Sequence, residues 1–184
     1  MNNDLGYIAI DLSDVSRQML FDIVSQKIPE KDYYQSLDSD YPYIDGNVSQ
    51  KAHLTICYGI TNLDLEKRFK AAKLKLNFKP STKIKAIQIN LGYKGEYYIL
   101  VADPEIDKDI FSFDSWIRDN NQIVTDSSHF DPHLALCYIK NQGNENTAEI
   151  LKYFQDKLIG KTVNFESVNF YTPMSQEKIT LIKL

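Results

Sequence analysis

The chain has 184 residues, a mass of 21.3 kDa and a formal net charge of −4. Hydrophobic residues make up 43%, charged residues 25% and aromatics 12%, a balance that excludes wholesale disorder, collagen-like repeats and disulfide scaffolds. No run approaches the roughly 20 apolar residues of a membrane span, and the mild acidity argues against a broad groove for duplex DNA or structured RNA.

The opening residues, MNNDLGYIAIDLSD, carry no basic stretch and no small-residue cleavage site, so they do not read as a signal peptide. Tyr7–Leu12 alternates as a strand does. Ser13 is then placed to cap a helix in which Val15, Met19, Leu20, Ile23 and Val24 recur at three- and four-residue spacing, and Pro29 stops it. Residues 29–51 are polar and turn-rich, too long for a simple connector, and read as a lid-like loop. It holds Tyr33, Tyr34, Tyr41 and Tyr43, whose rings are suited to stacking on bases.

His53–Ile60 is a β-branched, apolar strand. Asp64–Leu76 reads as an amphipathic helix. Thr82–Leu91 and Tyr97–Ala102 form a hairpin across the turn at Gly92–Gly95. Ile106–Ile117 is helical, with Ile110, Phe113, Trp116 and Ile117 on its apolar side. After the polar stretch 120–131, His133–Ile139 is again a strand. Thr147–Ile159 is a helix closed by Gly160. Two strands, Val163–Tyr171 and Lys178–Leu184, complete the order β-α-β-α-β-β-α-β-α-β-β. Nothing within it has a linker composition, so residues 1–184 read as one α+β domain with related halves of roughly 1–103 and 104–184.

One internal echo carries chemistry. Ala52-His53-Leu54-Thr55-Ile56-Cys57-Tyr58 is repeated 80 residues later as Pro132-His133-Leu134-Ala135-Leu136-Cys137-Tyr138. The chain has only three histidines, and two occupy the same place in this repeat. Strand alternation puts His53, Thr55 and Cys57 on one face, and His133, Ala135 and Cys137 on the matching one. Two imidazoles converging on one phosphorus suit acid–base phosphoryl chemistry: a neutral ring accepts a proton from the attacking oxygen and a protonated ring donates one to the leaving oxygen. The two widely separated cysteines read as reduced, buried thiols of a cytoplasmic protein. No nucleotide-loop, nucleophile-elbow or zincin motif is present, and the H-x-T pattern supplies no second ligand beside His53, so neither metal nor cofactor is expected.

The paired H-x-[T/S]-like strands resemble the two-histidine (2H) phosphoesterase superfamily. That superfamily includes RNA 2′,3′-cyclic phosphodiesterases of the 2′-5′ RNA ligase family and phage nucleases that destroy the cyclic oligonucleotide signals of CBASS immunity. The resemblance implies two pseudo-symmetric halves, each an antiparallel sheet with helices outside, around a central cleft. It implies His53 and His133 as general acid and base. Thr55 matches the hydroxyl that binds a phosphoryl oxygen. Tyr7 and Tyr171 match aromatic residues at strand ends that line the cleft, and Tyr43, Ser128 and His129 join them as candidate substrate contacts.

The implied partner is a small nucleotide or cyclic oligonucleotide, met by a monomer in the cytoplasm, or in the host cytoplasm for a phage-encoded chain. Ala135 departs from the family pattern, because a methyl cannot donate a hydrogen bond. Losing one such donor costs about 10²–10³ in rate. Thr125, Ser127, Ser128 and His129, just upstream, are the candidate replacements. Three readings follow: a metal-independent phosphodiesterase, a protein that sequesters a nucleotide without cleaving it, and a duplicated scaffold with no small-molecule site.

Overall fold

The computed structural model describes residues 5–36, 46–61, 64–72, 76–120, 131–143, 146–172 and 177–184. Strand β1 (Gly6–Leu12) leads into helix α1 (Asp14–Lys27). Ser13 caps that helix, its Oγ accepting from the Ser16 N–H at 3.3 Å. On α1 the inward positions are Ser16, Leu20 and Val24, while Val15 lies exposed, contrary to the periodicity. Ser16 earns its buried place by accepting the Asn164 N–H at 2.8 Å.

The chain continues through β2 (His53–Ile60), α2 (Leu65–Ala72), β3 (Ser81–Leu91), β4 (Tyr97–Pro104) and α3 (Lys108–Asn120). It closes with β5 (Leu134–Lys140), α4 (Thr147–Leu158), β6 (Thr162–Tyr171) and β7 (Lys178–Lys183). The fold is α+β, with the element order read from the pattern.

All strands are antiparallel and run β1-β2-β5-β4-β3-β6-β7, with β6 also pairing with β1. Two matching triplets result. In one, β2 pairs with β1 and β1 with β6. In the other, β5 pairs with β4 and β4 with β3. The first joins strands from both ends of the chain, and the second is made of three consecutive strands. They meet twice: β3 pairs with β6 from Ser81↔Asn164 to Lys83↔Thr162, and β2 pairs with β5 at Leu54↔Leu134, both fully buried. Beyond that point β5 leaves β2, and its free edge is taken by the described parts of the 29–51 stretch. Val48 N–H donates to Leu136 O, Tyr138 N–H to Gly46 O, and Tyr34 N–H to Tyr138 O, at 2.8–3.1 Å.

The core fills the side of the sheet that the helices cover. Ile8, Ile10, Leu54, Leu100 and Leu134 meet Leu20 and Val24 of α1, Phe113 and Ile117 of α3 and Phe154 of α4. Burying each such side chain is worth about 1.5–3 kcal/mol. With helices on that face, the opposite face is left to form a cleft.

Candidate active site

The repeat observed in the sequence is a repeat in three dimensions, down to an irregularity. On β2, Cys57 faces Ile8 and Thr55 faces Ala9, so Ile56 is a bulged extra residue. On β5, Cys137 faces Leu100 and Ala135 faces Val101, so Leu136 is bulged in the same way. A bulge puts two residues opposite one and reverses the alternation beyond it. Simple alternation placed the cysteines beside the histidines. The bulges instead turn Cys57 and Cys137 into the core and bring Tyr58 and Tyr138 to the histidine side. Both thiols are free and buried, and burial raises both pKa values, that of Cys57 to about 11. Neither is poised as a nucleophile.

His53 opens β2, and His133 stands one residue before β5. Both line one cleft of about 680 Å³ together with Tyr7, Asp11, Thr55, Ala135, Tyr138 and Tyr171. The two rings are held alike. His53 Nδ1 lies 3.0 Å from the Lys51 carbonyl oxygen, and His133 Nδ1 lies 3.0 Å from the Asp131 carbonyl oxygen. A carbonyl only accepts, so each Nδ1 carries the proton and each Nε2 is the atom that gives or takes one. Asp131 thus orients His133 through its backbone oxygen.

The environments of the two rings differ. His53 is half-buried and His133 exposed. Burial holds the pKa of His53 below its ordinary value. The Lys51 carbonyl and the charge of Asp11 oppose that shift, and His133 adds to it. Tyr7 stacks on His53 with ring centres 5.6 Å apart, and Tyr171 stacks on Tyr7 at 4.5 Å and 8°. The Tyr171 hydroxyl donates to the Asp11 carboxylate, its oxygen 2.9 and 2.8 Å from Oδ1 and Oδ2, and Lys178 Nζ lies 2.8 Å from Oδ2. Burial, followed by Asp11, raises the pKa of Tyr171.

The cleft thus gathers His53, His133, Thr55, Tyr7 and Tyr171 from the sequence reading. Tyr43, Ser128 and His129 lie outside the described residues, as do Tyr41, Thr125 and Ser127. Tyr33 and Tyr34 pack against the body: Tyr33 joins the edge of the core, and Tyr34 stacks on Tyr97 at 4.6 Å. Lys51 also lines the cleft, as do Arg17 and Lys178. Sequence reasoning missed Asp11, Tyr138, Arg17 and Lys178. Asp11 was within reach, since alternation along YIAIDL puts it on the face of Tyr7; Tyr138 was hidden by the bulge. Among the described residues, no three His, Cys, Asp or Glu side chains cluster closely enough to hold a metal ion. No described helix is long and apolar enough to cross a membrane.

No protein-family model matches the chain, and no curated protein sequence does. Its fold is similar to solved structures. Usb1 of Kluyveromyces marxianus aligns over 100% of this chain and 99% of its own, with a TM-score of 0.57 and 10% identity. Escherichia coli LigT complexed with 3′-AMP aligns over 90% and 86%, with a TM-score of 0.56 and 11% identity. A protein described as a phosphoesterase aligns over 96% and 98%, with a TM-score of 0.54 and 12% identity. The chain therefore has the two-histidine phosphoesterase fold.

Proposed function

We propose that the protein is a phosphodiesterase that acts on a small nucleotide by two-histidine acid–base catalysis, without a metal. The observation that carries this reading is the twin arrangement of His53 and His133: each Nδ1 rests on the carbonyl two residues earlier, and both rings line one cleft. One Nε2 withdraws a proton from the attacking oxygen as its bond to phosphorus forms. The other Nε2 protonates the oxygen whose bond to phosphorus breaks. The cleft is of a size to take a compact ligand.

Thr55 is positioned to donate to a non-bridging phosphoryl oxygen, and Tyr7 and Tyr171 supply stacked aromatic surface at the side of His53. The substrate is a 2′,3′-cyclic phosphate, a cyclic nucleotide or a cyclic oligonucleotide. The Usb1 and LigT structures complexed with uridine monophosphate and with 3′-AMP support a nucleotide over other phosphodiesters.

One observation favours a second reading. Ala135 occupies the place of Thr55 in the second triplet, so that side of the cleft lacks the matching hydroxyl. A cleft weakened in this way would hold a nucleotide without turning it over.

The test is incubation with a panel of 2′,3′-cyclic nucleotides, 3′,5′-cyclic nucleotides and cyclic oligonucleotides in the presence of EDTA. Product that disappears in His53→Ala and in His133→Ala is the expected result. Ligand bound tightly and recovered intact favours sequestration. Cleavage abolished by EDTA overturns the metal-free mechanism.

A further inference from the structure

The two halves of the site are not electrically equivalent, and the difference sits on β1. Asp11 lies directly across from His53 in the β1–β2 register. It is 3% exposed, unlike most carboxylates. Two groups fix it: the Tyr171 hydroxyl spans both its oxygens, and Lys178 Nζ is paired with Oδ2. Applied to β4, the same register makes Asp103 its counterpart, one residue beyond Ala102, which faces Leu134. Asp103 is less buried and is engaged by the Gln88 side-chain amide instead. His133 is exposed to water, whereas His53 is half-buried, stacked with Tyr7 and across the strand pair from Asp11.

We infer that Asp11 is a positioning residue that makes His53 the proton acceptor of the reaction and leaves His133 as the proton donor. This rests on the phosphodiesterase reading above. An enclosed ring starts neutral, because burial disfavours the imidazolium. When it takes the proton from the attacking water or hydroxyl, the new positive charge appears across the strand pair from a fixed carboxylate. Substrate entry excludes water and strengthens that attraction. His133, open to solvent, delivers a proton to the leaving oxygen. The step balances: the attacking oxygen loses its proton to His53 Nε2 and bonds to phosphorus, the leaving P–O bond breaks, and His133 Nε2 protonates the departing oxygen.

Among the described residues, the titratable and charged groups that line the cleft with His53 are Asp11 and Tyr7 on β1, His133 before β5, Tyr138 on β5, Tyr171 on β6, Lys178 on β7, Arg17 on α1 and Lys51 just before β2. Asp11 is the one carboxylate among them. Lys178 partly neutralises it, so the two residues should pull the ring in opposite directions.

The experiment uses the full chain with ¹⁵N-labelled histidine. Histidine titrations are followed by NMR without substrate, and pH–rate profiles are recorded on whichever nucleotide the wild type cleaves. Asp11→Asn should lower the His53 midpoint and leave that of His133 in place. Lys178→Met should raise the His53 midpoint. In the profile, Asp11→Asn should move only the acid limb, to lower pH by about one unit, and reduce kcat about tenfold with KM within twofold. A His53 midpoint unmoved in both variants overturns the inference, and so does movement of the alkaline limb alone, which would make His53 the donor. The NMR arm needs no turnover. An inactive wild type with the expected midpoint shifts would sink the phosphodiesterase reading while keeping the Asp11–His53 coupling.

Discussion

Replacing Thr55 by valine removes one hydroxyl and keeps the branched shape. Thr55 is half-buried in the cleft, and its counterpart in the second triplet is the methyl of Ala135. If this hydroxyl steadies charge on a phosphoryl oxygen, it is the one strand-borne Thr or Ser donor among the described cleft residues. Removing a single such donor typically costs 10²–10³ in kcat, about 2.7–4 kcal/mol of transition-state stabilisation. With no strand-borne twin among the described residues, Thr55→Val should lose about 10² in kcat. Stability should change by no more than about 0.5 kcal/mol, since no buried partner is left unsatisfied. The reciprocal change, Ala135→Thr, restores the hydroxyl at the matching bulged strand and should raise kcat. Single-turnover kinetics separates these effects from product release. Wild-type turnover in Thr55→Val would refute the assignment of Thr55 as a phosphoryl-oxygen donor.

Three further outcomes follow from the same geometry. The folded-state pKa of His53 is depressed, so the unfolded chain binds the proton first as pH falls below about 6.5. Its contribution to stability is therefore present above that pH and is lost as pH drops through the folded-state value; denaturant titrations between pH 7 and pH 5 should show a shallower decline in His53→Gln than in wild type. Cys57 and Cys137, buried and with raised pKa values, should resist alkylation at pH 8 in the native chain and react fully in denaturant; native labelling within minutes would contradict the bulged register. Leu134→Ala, at the pairing point of β2 and β5, should cost about 2–5 kcal/mol by chemical denaturation and reduce activity as well, because that contact joins the two histidine-bearing strands.

The element order was legible because each stretch kept its own period. YIAIDL and HLTICYGI read as strands, and Leu20 with Val24 as the inner face of a helix. The histidine pair was legible for a different reason: the repeat marks it without any knowledge of the fold. Features that depend on partners across space were not legible. The bulges at Ile56 and Leu136 come from strand register with β1 and β4, so alternation alone assigned Cys57 and Cys137 to the wrong faces. The insertion of one triplet within the other has the same origin, because β6 reaches β1 from the far end of the chain. Asp11 looked like the last polar residue of a strand; only Tyr171 and Lys178, 160 and more residues away, show that it is a buried, fixed charge.

The site is both symmetric and polarised. What the halves share is what both imidazoles need: a carbonyl two residues back to fix the tautomer, a leucine to anchor the strand, and a bulge that sends a tyrosine to the cleft side. What they do not share is what would give the two rings opposite tasks. Thr55 against Ala135, and a buried Asp11 against a more open Asp103, both place hydrogen-bonding capacity and fixed charge on the side of His53. A proton acceptor benefits from an enclosed setting in which its charge appears only during the reaction, whereas a donor must be recharged by solvent between turnovers. The proposed roles fit this asymmetry, with the acceptor assigned to the half-buried His53 and the donor to the exposed His133.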